Sequence, residues 1–208
     1  MEFRTYGSPS AEAILIQPVD AHDLEGMKSE IEWIRRNTAK DFQVIACCIR
    51  DWNHELSPWK APAVFGREDF GDGAADTLAE ILKHGVDPEK VCYLGGYSLA
   101  GLFALWAASQ TDVFRGIAAA SPSVWFPGFT DLLRTTSVRS PHVYLSLGNR
   151  EEKTRNPVMA TVGSRIRETH DLLEGQGVSC VLEWNEGNHF MDSDKRTARA
   201  FAWVLNQS

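Results

Sequence analysis

The sequence predicts an α/β fold with a mostly parallel sheet of about six strands and helices on both faces. Short apolar segments of strand length alternate with longer segments whose apolar residues recur at helical spacing. No repeat or low-complexity stretch interrupts this alternation. Strands that are separated by helices favour parallel pairing, because each helix returns the chain to the starting edge of the sheet. The 208 residues and 43% hydrophobic content predict one domain, residues 1–208, with a sizeable core.

Six segments have the apolar composition of buried strands, and residues 2–6 add a short edge strand. The six predicted strands are Ala13–Gln17, Gln43–Ile49, Val91–Leu94, Gly116–Ala120, His142–Leu147 and Val178–Trp184. In parallel sheets covered by helices, reactive groups gather beyond the carboxyl ends of the strands. Residues that directly follow these segments are therefore the first candidates for a functional site.

Helices are predicted from the spacing of apolar residues and from signals at the helix ends. In the first helix, Met27, Ile31 and Ile34 fall on one face. In the fourth, Asn156 is a suitable N-cap and Pro157 occupies the first helical position. The five predicted helices are Asp23–Arg36, Gly73–His84, Leu99–Ser109, Pro157–Glu174 and Ser193–Asn206.

A serine stands at a tight turn between a strand and a helix. The strand Val91–Leu94 stops at a pair of glycines, and Ser98 follows just before the helix Leu99–Ser109. This arrangement is typical of a nucleophile elbow, in which a strained backbone holds the serine hydroxyl clear of the sheet. Residues two positions away on either side must be small, and here they are Gly96 and Ala100. The alternative is that Ser98 only caps the helix, a common role of serine.

A serine hydroxyl needs a base to become an effective nucleophile, and histidine is the natural base near neutral pH. Of the six histidines, His189 follows the strand Val178–Trp184 and precedes the last helix. We predict that His189 is the base. His22 and His54 lie in segments that follow strands and would face the same cleft.

The third member of such a site is a carboxylate that follows the strand between the serine and the histidine. The strand His142–Leu147 runs into Gly-Asn-Arg-Glu-Glu-Lys, which places Glu151 three residues after the glycine. We favour Glu151, with Glu152 and Asp192 as alternatives. The alternative is that these charged residues have no catalytic role and are simply exposed to solvent.

An oxyanion that forms at the serine requires two hydrogen-bond donors. One predicted donor is the backbone N–H of Leu99, directly after the serine. The other is expected in the segment that follows the first buried strand, at Ala21 or His22. The amino end of the helix that begins at Leu99 also favours a negative charge at this place.

The segment 50–70 is predicted to be irregular and is rich in aromatic residues and proline. Together with aromatic residues that follow the fourth strand, it provides candidates for an apolar substrate pocket. The alternative is that these rings only cover the sheet. The candidates are Trp52, Trp59, Phe65, Trp125 and Phe126.

Composition and charge argue against several classes of partner. The net charge of −7 disfavours nucleic acid and anionic membranes. No apolar stretch approaches the roughly 20 residues of a membrane-spanning helix, and the first residues lack the pattern of a signal peptide. The four cysteines match no zinc pattern and are expected to be free thiols, as in a cytoplasmic protein. No metal or cofactor is expected.

Three stretches of the chain resemble one protein family. They are Gly-Gly-Tyr-Ser-Leu-Ala-Gly around Ser98, Ser-Pro-Ser-Val-Trp-Phe from residue 121, and Gly-Asn-His-Phe around His189. They resemble an esterase group of the α/β-hydrolases that includes siderophore esterases of the enterobactin esterase type and relatives of esterase D. The resemblance runs from about Ala13 onward. It departs from the family in lacking a pair of N-terminal strands and in leaving the acid unfixed.

The resemblance implies an α/β-hydrolase fold, with Ser98 as nucleophile and His189 as base. It also implies hydrolysis of a small-molecule carboxylic ester or thioester through an acyl-enzyme. A peptidase or an acyltransferase would use the same residues, and a non-catalytic binding protein would keep the fold without the reaction. The chain offers no long insertion for a cap domain. The site is therefore expected to be open or completed by a second subunit in a homo-oligomer.

Overall fold

The computed structural model describes residues 1–207 of the chain. Within these residues, seven strands form one sheet. The strands are β1 (Glu2–Tyr6), β2 (Ala13–Val19), β3 (Phe42–Cys48), β4 (Val91–Tyr97), β5 (Phe114–Ala120), β6 (His142–Gly148) and β7 (Ser179–Asn185). Their order across the sheet is β1-β3-β2-β4-β5-β6-β7. The six predicted strands and the edge strand at residues 2–6 are confirmed.

The pairing of the strands is parallel throughout, except that β1 runs antiparallel to β3 at one edge. The carboxyl ends of the six parallel strands therefore lie along one edge of the sheet. The strand β4 extends three residues beyond the predicted end, because Gly95, Gly96 and Tyr97 continue the ladder opposite Ala118 to Ala120 of β5. The serine that follows Tyr97 therefore begins directly at the end of a central strand.

Seven α-helices accompany the strands in the part of the chain that the structure describes. They are α1 (Ala21–Asn37), α2 (Trp52–Glu55), α3 (Ala74–His84), α4 (Leu99–Gln110), α5 (Phe129–Thr135), α6 (Val162–Gly175) and α7 (Ser193–Leu205). The sequence analysis missed α2 and α5, because helices of one or two turns give no clear periodic signal. The helix α2 lies within the segment 50–70 that was expected to be irregular.

The helix predicted at Pro157–Glu174 begins later than expected. A 3₁₀ turn, Met159–Thr161, precedes α6. The side-chain oxygen of Asn156 accepts hydrogen bonds from the N–H groups of Val158 and Met159, at 3.0 and 3.2 Å. Asn156 therefore provides the predicted capping contact, but it caps the 3₁₀ turn and not the α-helix. The prediction was wrong about where the helix starts because a cap signal does not distinguish these two kinds of turn.

The core has two halves, one on each face of the sheet. One half contains the apolar faces of α1 and α7, with Met27, Ile34 and Phe201 fully buried. The other contains α3, α4, α5 and α6. Every residue of α4 from Leu99 to Ser109 is buried, as expected for a helix that is apolar on all sides. The amino end of α4 is thus fixed at the end of β4 by the packing of the whole helix.

No helix within residues 1–207 combines the length and the apolar character that crossing a membrane requires.

Candidate active site

Ser98 has the backbone conformation of a nucleophile elbow. Its φ of 58° and ψ of −119° lie in a region that residues other than glycine rarely adopt. Such strain costs about 1–3 kcal/mol and persists only where the surroundings enforce it. A Cβ atom on Gly96 would lie 2.6 Å from the Cβ atom of Ala100. Glycine is therefore required at position 96 because alanine occupies position 100.

Ser98, His189 and Glu151 form one chain of hydrogen bonds. The hydroxyl Oγ of Ser98 lies 2.9 Å from Nε2 of His189, and Nδ1 of His189 lies 2.7 Å from Oε2 of Glu151. A carboxylate can only accept hydrogen bonds, so the imidazole proton lies on Nδ1 and Nε2 is the acceptor for the serine hydroxyl. The structure thus brings together three residues that the sequence singled out from three separate loops.

The alternative residues do not join this chain. Glu152 lies 3.7 Å from the guanidinium of Arg167, and Asp192 forms an exposed ion pair with Lys195 at 2.7 Å. His22 lies at the cavity beside Ser98, whereas His54 is exposed on α2. Of the candidate acids, only Glu151 reaches His189. The catalytic roles of the three residues stay predictions.

Three further donors hold the Glu151 carboxylate in place. Its Oε1 accepts hydrogen bonds from the N–H of Gly148 at 2.7 Å, the hydroxyl of Ser121 at 2.8 Å and the guanidinium of Arg196 at 2.9 Å. Burial by itself raises the pKa of Glu151, but the hydrogen bond and charge of His189 and the donors Gly148 and Ser121 together lower it below its ordinary value. The carboxylate is therefore ionised at neutral pH, as an acceptor for the imidazole must be.

The sequence analysis missed Arg196, although this side chain belongs to the site. It is only 3% exposed. Besides Glu151, its guanidinium donates to the hydroxyl of Tyr97 at 3.1 Å and to the carbonyl of Glu186 at 2.9 Å. The Tyr97 hydroxyl in turn donates to the carbonyl of His189 at 2.8 Å. The signal in the sequence was a charged residue at helical spacing from the apolar residues Ala200 and Val204 of the last helix.

The two predicted oxyanion donors lie at the starts of two helices. Leu99 is the first residue of α4, and Ala21 is the first residue of α1. The first N–H groups of a helix have no acceptor within that helix, so they are available to an anion. These helices follow β4 and β2, which pair with each other in parallel. Ser123 is a further polar neighbour, with its hydroxyl 3.2 Å from that of Ser98.

A cavity of about 290 Å³ opens beside Ser98. Trp52 and Phe190 provide apolar walls, and Asp20 and Asp23 provide acidic ones. Phe190 is 89% exposed, so it stands at the rim. Of the predicted pocket residues, Trp52 is thus at the site.

Trp125 and Phe126 lie outside this cavity, which corrects their predicted place. They are 8% and 2% exposed and pack in a cluster with Phe70, at centroid distances of 6.1 and 5.1 Å. Phe65 and Trp59 contact the same cluster. These rings pack against one another over the sheet, as in the alternative in which they only cover it. Composition could not distinguish the two roles because both require large apolar side chains near the same edge.

One group of side chains within residues 1–207 has the spacing that could hold a metal ion, namely His170, Asp171 and Glu174 on α6. The two carboxylates of this group are exposed, and it contains none of the residues around Ser98.

No protein-family model matches the sequence, and no curated protein does either. Solved structures do match. The siderophore hydrolase EstA from Aspergillus nidulans is 22% identical, with a TM-score of 0.69 over 97% of this chain and 86% of that one. An IroE-like serine hydrolase from Shewanella oneidensis is 15% identical, with a TM-score of 0.78 over 98% of this chain and 75% of that one.

The enterobactin esterase FES from Shigella flexneri is 13% identical, with a TM-score of 0.70 over 99% of this chain. The chain spans 55% of the length of that esterase. At such identities, structural similarity establishes the fold and leaves the substrate open. The seven-stranded sheet, the helices on both faces and the elbow at the end of β4 are common to this architecture. This chain therefore has the α/β-hydrolase fold, which it shares with these esterases and serine hydrolases.

Proposed function

We propose that this protein is a serine esterase that cleaves a carboxylic ester or thioester of a small molecule through an acyl-enzyme. The observation that carries the proposal is the hydrogen-bonded chain from Ser98 through His189 to Glu151. It is supported by the strained elbow at Ser98 and by the esterases among the similar structures. Each of the three residues has the chemical type and the partner that its role demands.

In the first half of the reaction, Oγ of Ser98 attacks the carbonyl carbon of the ester while Nε2 of His189 takes the hydroxyl proton. The carbonyl oxygen becomes an oxyanion, and we assign its two donors to the N–H groups of Leu99 and Ala21. Glu151 stabilises the imidazolium that forms. The bond from carbon to the leaving oxygen or sulfur then breaks, and the imidazolium gives its proton to the leaving group.

In the second half, a water molecule replaces the leaving group. His189 takes a proton from this water as its oxygen attacks the acyl carbon, and the bond to Oγ of Ser98 breaks. The proton passes to Oγ, which restores the free enzyme and releases the carboxylic acid. No further group is needed to balance these steps.

We also propose that the protein works in the cytoplasm on small molecules. All four cysteines are free thiols, two of them buried. Free thiols are the usual state in a reducing compartment. The net charge of −7 supports a small-molecule substrate over nucleic acid or an anionic membrane.

The test compares the native protein with Ser98→Ala and with the control Ser164→Ala, an exposed serine on α6. The native protein and the control should react with a fluorophosphonate probe and hydrolyse p-nitrophenyl esters. Ser98→Ala should not be labelled, and its turnover should fall by at least about 10³-fold. Labelling of a folded Ser98→Ala protein would contradict the proposal.

The same assay separates the alternatives. Hydrolysis of amides at rates similar to esters would identify a peptidase, and transfer of the acyl group to an added alcohol in preference to water would identify an acyltransferase. Absence of labelling in the native protein would indicate that it is a non-catalytic binding protein.

A further inference from the structure

A second, acidic cavity adjoins the one at Ser98. It has a volume of about 250 Å³ and lies between α1 and α7, over the end of β2. Its lining residues include no lysine and no arginine. Four carboxyl groups line it, those of Asp23, Glu25, Glu30 and Asp194. The cavity therefore gathers four carboxyl groups, and His22 is the one lining side chain that can carry a positive charge.

Two of the polar side chains in this cavity are buried, and one of them has an atom without a hydrogen-bond partner. Glu30 is 4% exposed and Gln17 is 3% exposed. The only hydrogen bond between them is long, at 3.4 Å from Nε2 of Gln17 to Oε2 of Glu30. The other side-chain atom of Gln17, the acceptor Oε1, has no hydrogen-bond partner. Burying an acceptor without a donor is costly, so a bound group that donates to Oε1 of Gln17 would be stabilised here.

A group that pairs with Gln17 and Glu30 has to donate hydrogen bonds, and the four carboxyl groups of the lining favour a positive charge on it. A primary ammonium fits this requirement, because it has three N–H donors and no acceptor. A bare metal ion fits less well. Among residues 1–207, Glu30 and Asp194 do not belong to a set of ligand atoms close enough to hold one. An ammonium needs only two acceptors here, the amide oxygen of Gln17 and the carboxylate of Glu30, and an amide oxygen with one carboxylate is a poor ligand set for a metal ion.

The acidic cavity is placed to act on the substrate of Ser98. It shares the lining residues His22, Asp23 and Ser193 with the cavity beside the serine, so the two cavities are neighbours at the starts of α1 and α7. Asp20 adds a further carboxyl group at the cavity of Ser98. An ester bound at Ser98 that extends toward α1 would therefore place its far end next to Glu30.

We infer that Glu30 and Gln17 form a subsite for a primary ammonium group and that the preferred substrates are esters that carry one. This inference names the substrate class of the proposed esterase and rests on that function. The ammonium would donate to Oε1 of Gln17 and to the carboxylate of Glu30, with the carboxylates of Asp23 and Asp194 facing the same space.

Binding of such a group has to be coupled to loss of a proton. Burial raises the pKa of Glu30 to about 8, and the charges of Asp23 and Asp194 act in the same direction, against the hydrogen bond from Gln17. Burial also raises the pKa of Asp23 to about 6. His22 and Glu25 are the other titratable groups that line the cavity. Near neutral pH, Glu30 therefore holds a proton that an arriving ammonium displaces.

The first experiment measures binding without hydrolysis. Ser98→Ala is titrated calorimetrically with pentylammonium chloride and, as a neutral control, with pentanol. Titrations at neutral pH in phosphate and in MOPS, neither of which contains a primary ammonium, reveal proton release because the two buffers differ in ionisation enthalpy. We expect pentylammonium to bind at least about tenfold more tightly than pentanol, with release of up to about one proton.

The variants locate the effect. Glu30→Gln keeps the shape of the side chain and should weaken pentylammonium binding by about tenfold and abolish proton release. Glu32→Gln is the matched control, an exposed glutamate on the same helix outside the cavity, and should behave as the parent protein. Asp194→Asn, on the opposite wall, should weaken binding without abolishing proton release. Equal binding of pentylammonium and pentanol, or unchanged binding in a folded Glu30→Gln protein, would overturn the inference.

The second experiment uses the enzyme with Ser98 intact. The specificity constant kcat/KM is measured for two series of p-nitrophenyl esters of increasing chain length. One series contains ω-amino acids, and the other contains the matching unsubstituted fatty acids. The ratio of the two should favour the amino esters at one chain length, and Glu30→Gln should lower that ratio by about tenfold. If neither ester is hydrolysed but pentylammonium binds, the esterase proposal fails and the cation site stands. If both are hydrolysed at equal rates at every length, the subsite is overturned.

Discussion

Glu151 is held by donors on both of its carboxylate oxygens. His189 occupies Oε2, while Gly148, Ser121 and Arg196 occupy Oε1. A glutamate is longer than an aspartate and has one more rotatable bond, so it needs these contacts to present a single geometry to the imidazole. The glycine at position 148 is part of this arrangement, since a Cβ atom there would lie 2.9 Å from Oε1 of Glu151.

The first prediction tests the acid. Glu151→Gln keeps the shape but removes the charge that fixes the imidazole tautomer and stabilises the imidazolium. Turnover of a p-nitrophenyl ester should fall by up to about 10⁴-fold. Glu152→Gln and Asp192→Asn are the controls, and each should change turnover by less than about threefold, because neither side chain touches His189. Equal, modest effects at all three positions would mean that the enzyme works without a fixed acid.

The second prediction concerns Arg196, which positions Glu151 and Tyr97 without touching substrate. Arg196→Met should lower kcat by about 10²-fold through displacement of Glu151, and KM should change little. Arg196→Lys retains the charge and should restore part of kcat, although it cannot make all of the contacts of the planar guanidinium. Circular dichroism of each variant controls for folding. A rise in KM at constant kcat would assign Arg196 to substrate binding.

At the scale of elements, the site depends on the turn between β4 and α4. The helix is buried on every side and cannot shift to relieve crowding at its amino end. The backbone of Ser98 is further held by hydrogen bonds from its N–H to Ala120 and from the N–H of Ser123 to its carbonyl, at 3.1 and 3.0 Å. The strain at Ser98 is therefore imposed by two neighbouring elements, β5 and α4.

The third prediction tests this turn with a pair of substitutions. Gly96→Ala adds a Cβ atom 2.6 Å from that of Ala100. It should destabilise the protein by about 1–3 kcal/mol and lower turnover through displacement of Ser98. Adding Ala100→Gly removes the clash and should recover most of the activity, at a cost of about 1 kcal/mol for glycine in a helix. Thermal unfolding and ester hydrolysis are measured for both proteins, with Ala100→Gly alone as control. Failure of the double variant to recover would mean that another contact sets the turn.

At the scale of the whole molecule, a buried acid makes stability depend on pH. The pKa of Glu30 rises from 4.5 to about 8 on folding, chiefly through burial. Between these values the folded protein binds a proton that the unfolded chain has lost. Stability therefore falls as pH rises through this window. The lowered pKa of Glu151 acts in the opposite sense, since its contribution is present above the ordinary value and is lost as pH falls.

The fourth prediction follows from this sign. Glu30→Gln removes the titrating group, so its free energy of unfolding should not share the decline of the native protein. The difference, variant minus native, should therefore increase by about 1–3 kcal/mol as pH rises from 5 to 8. For a chain of this length, the change in melting temperature is roughly 2–4 °C per kcal/mol. Glu32→Gln should show no such trend. A constant difference between Glu30→Gln and the native protein across this range would show that Glu30 is ionised in the folded state.

Local sequence patterns were sufficient to predict the alternation of strands and helices, the elbow at Ser98 and the loop positions of His189 and Glu151. Each depends on the spacing of apolar residues or on residues that directly follow a strand, which nearby sequence records. The parallel topology then implied that these loops meet at one edge of the sheet.

Only the tertiary structure decided which acid reaches the imidazole, since Glu151 and Glu152 are neighbours in sequence but point to different partners. It also moved Trp125 and Phe126 out of the site and brought Arg196 into it. The same holds for the pairing of Gln17 with Glu30 across β2 and α1. The physical reason is that burial and hydrogen-bond partners depend on contacts between elements distant in sequence, and residue type alone does not encode those contacts.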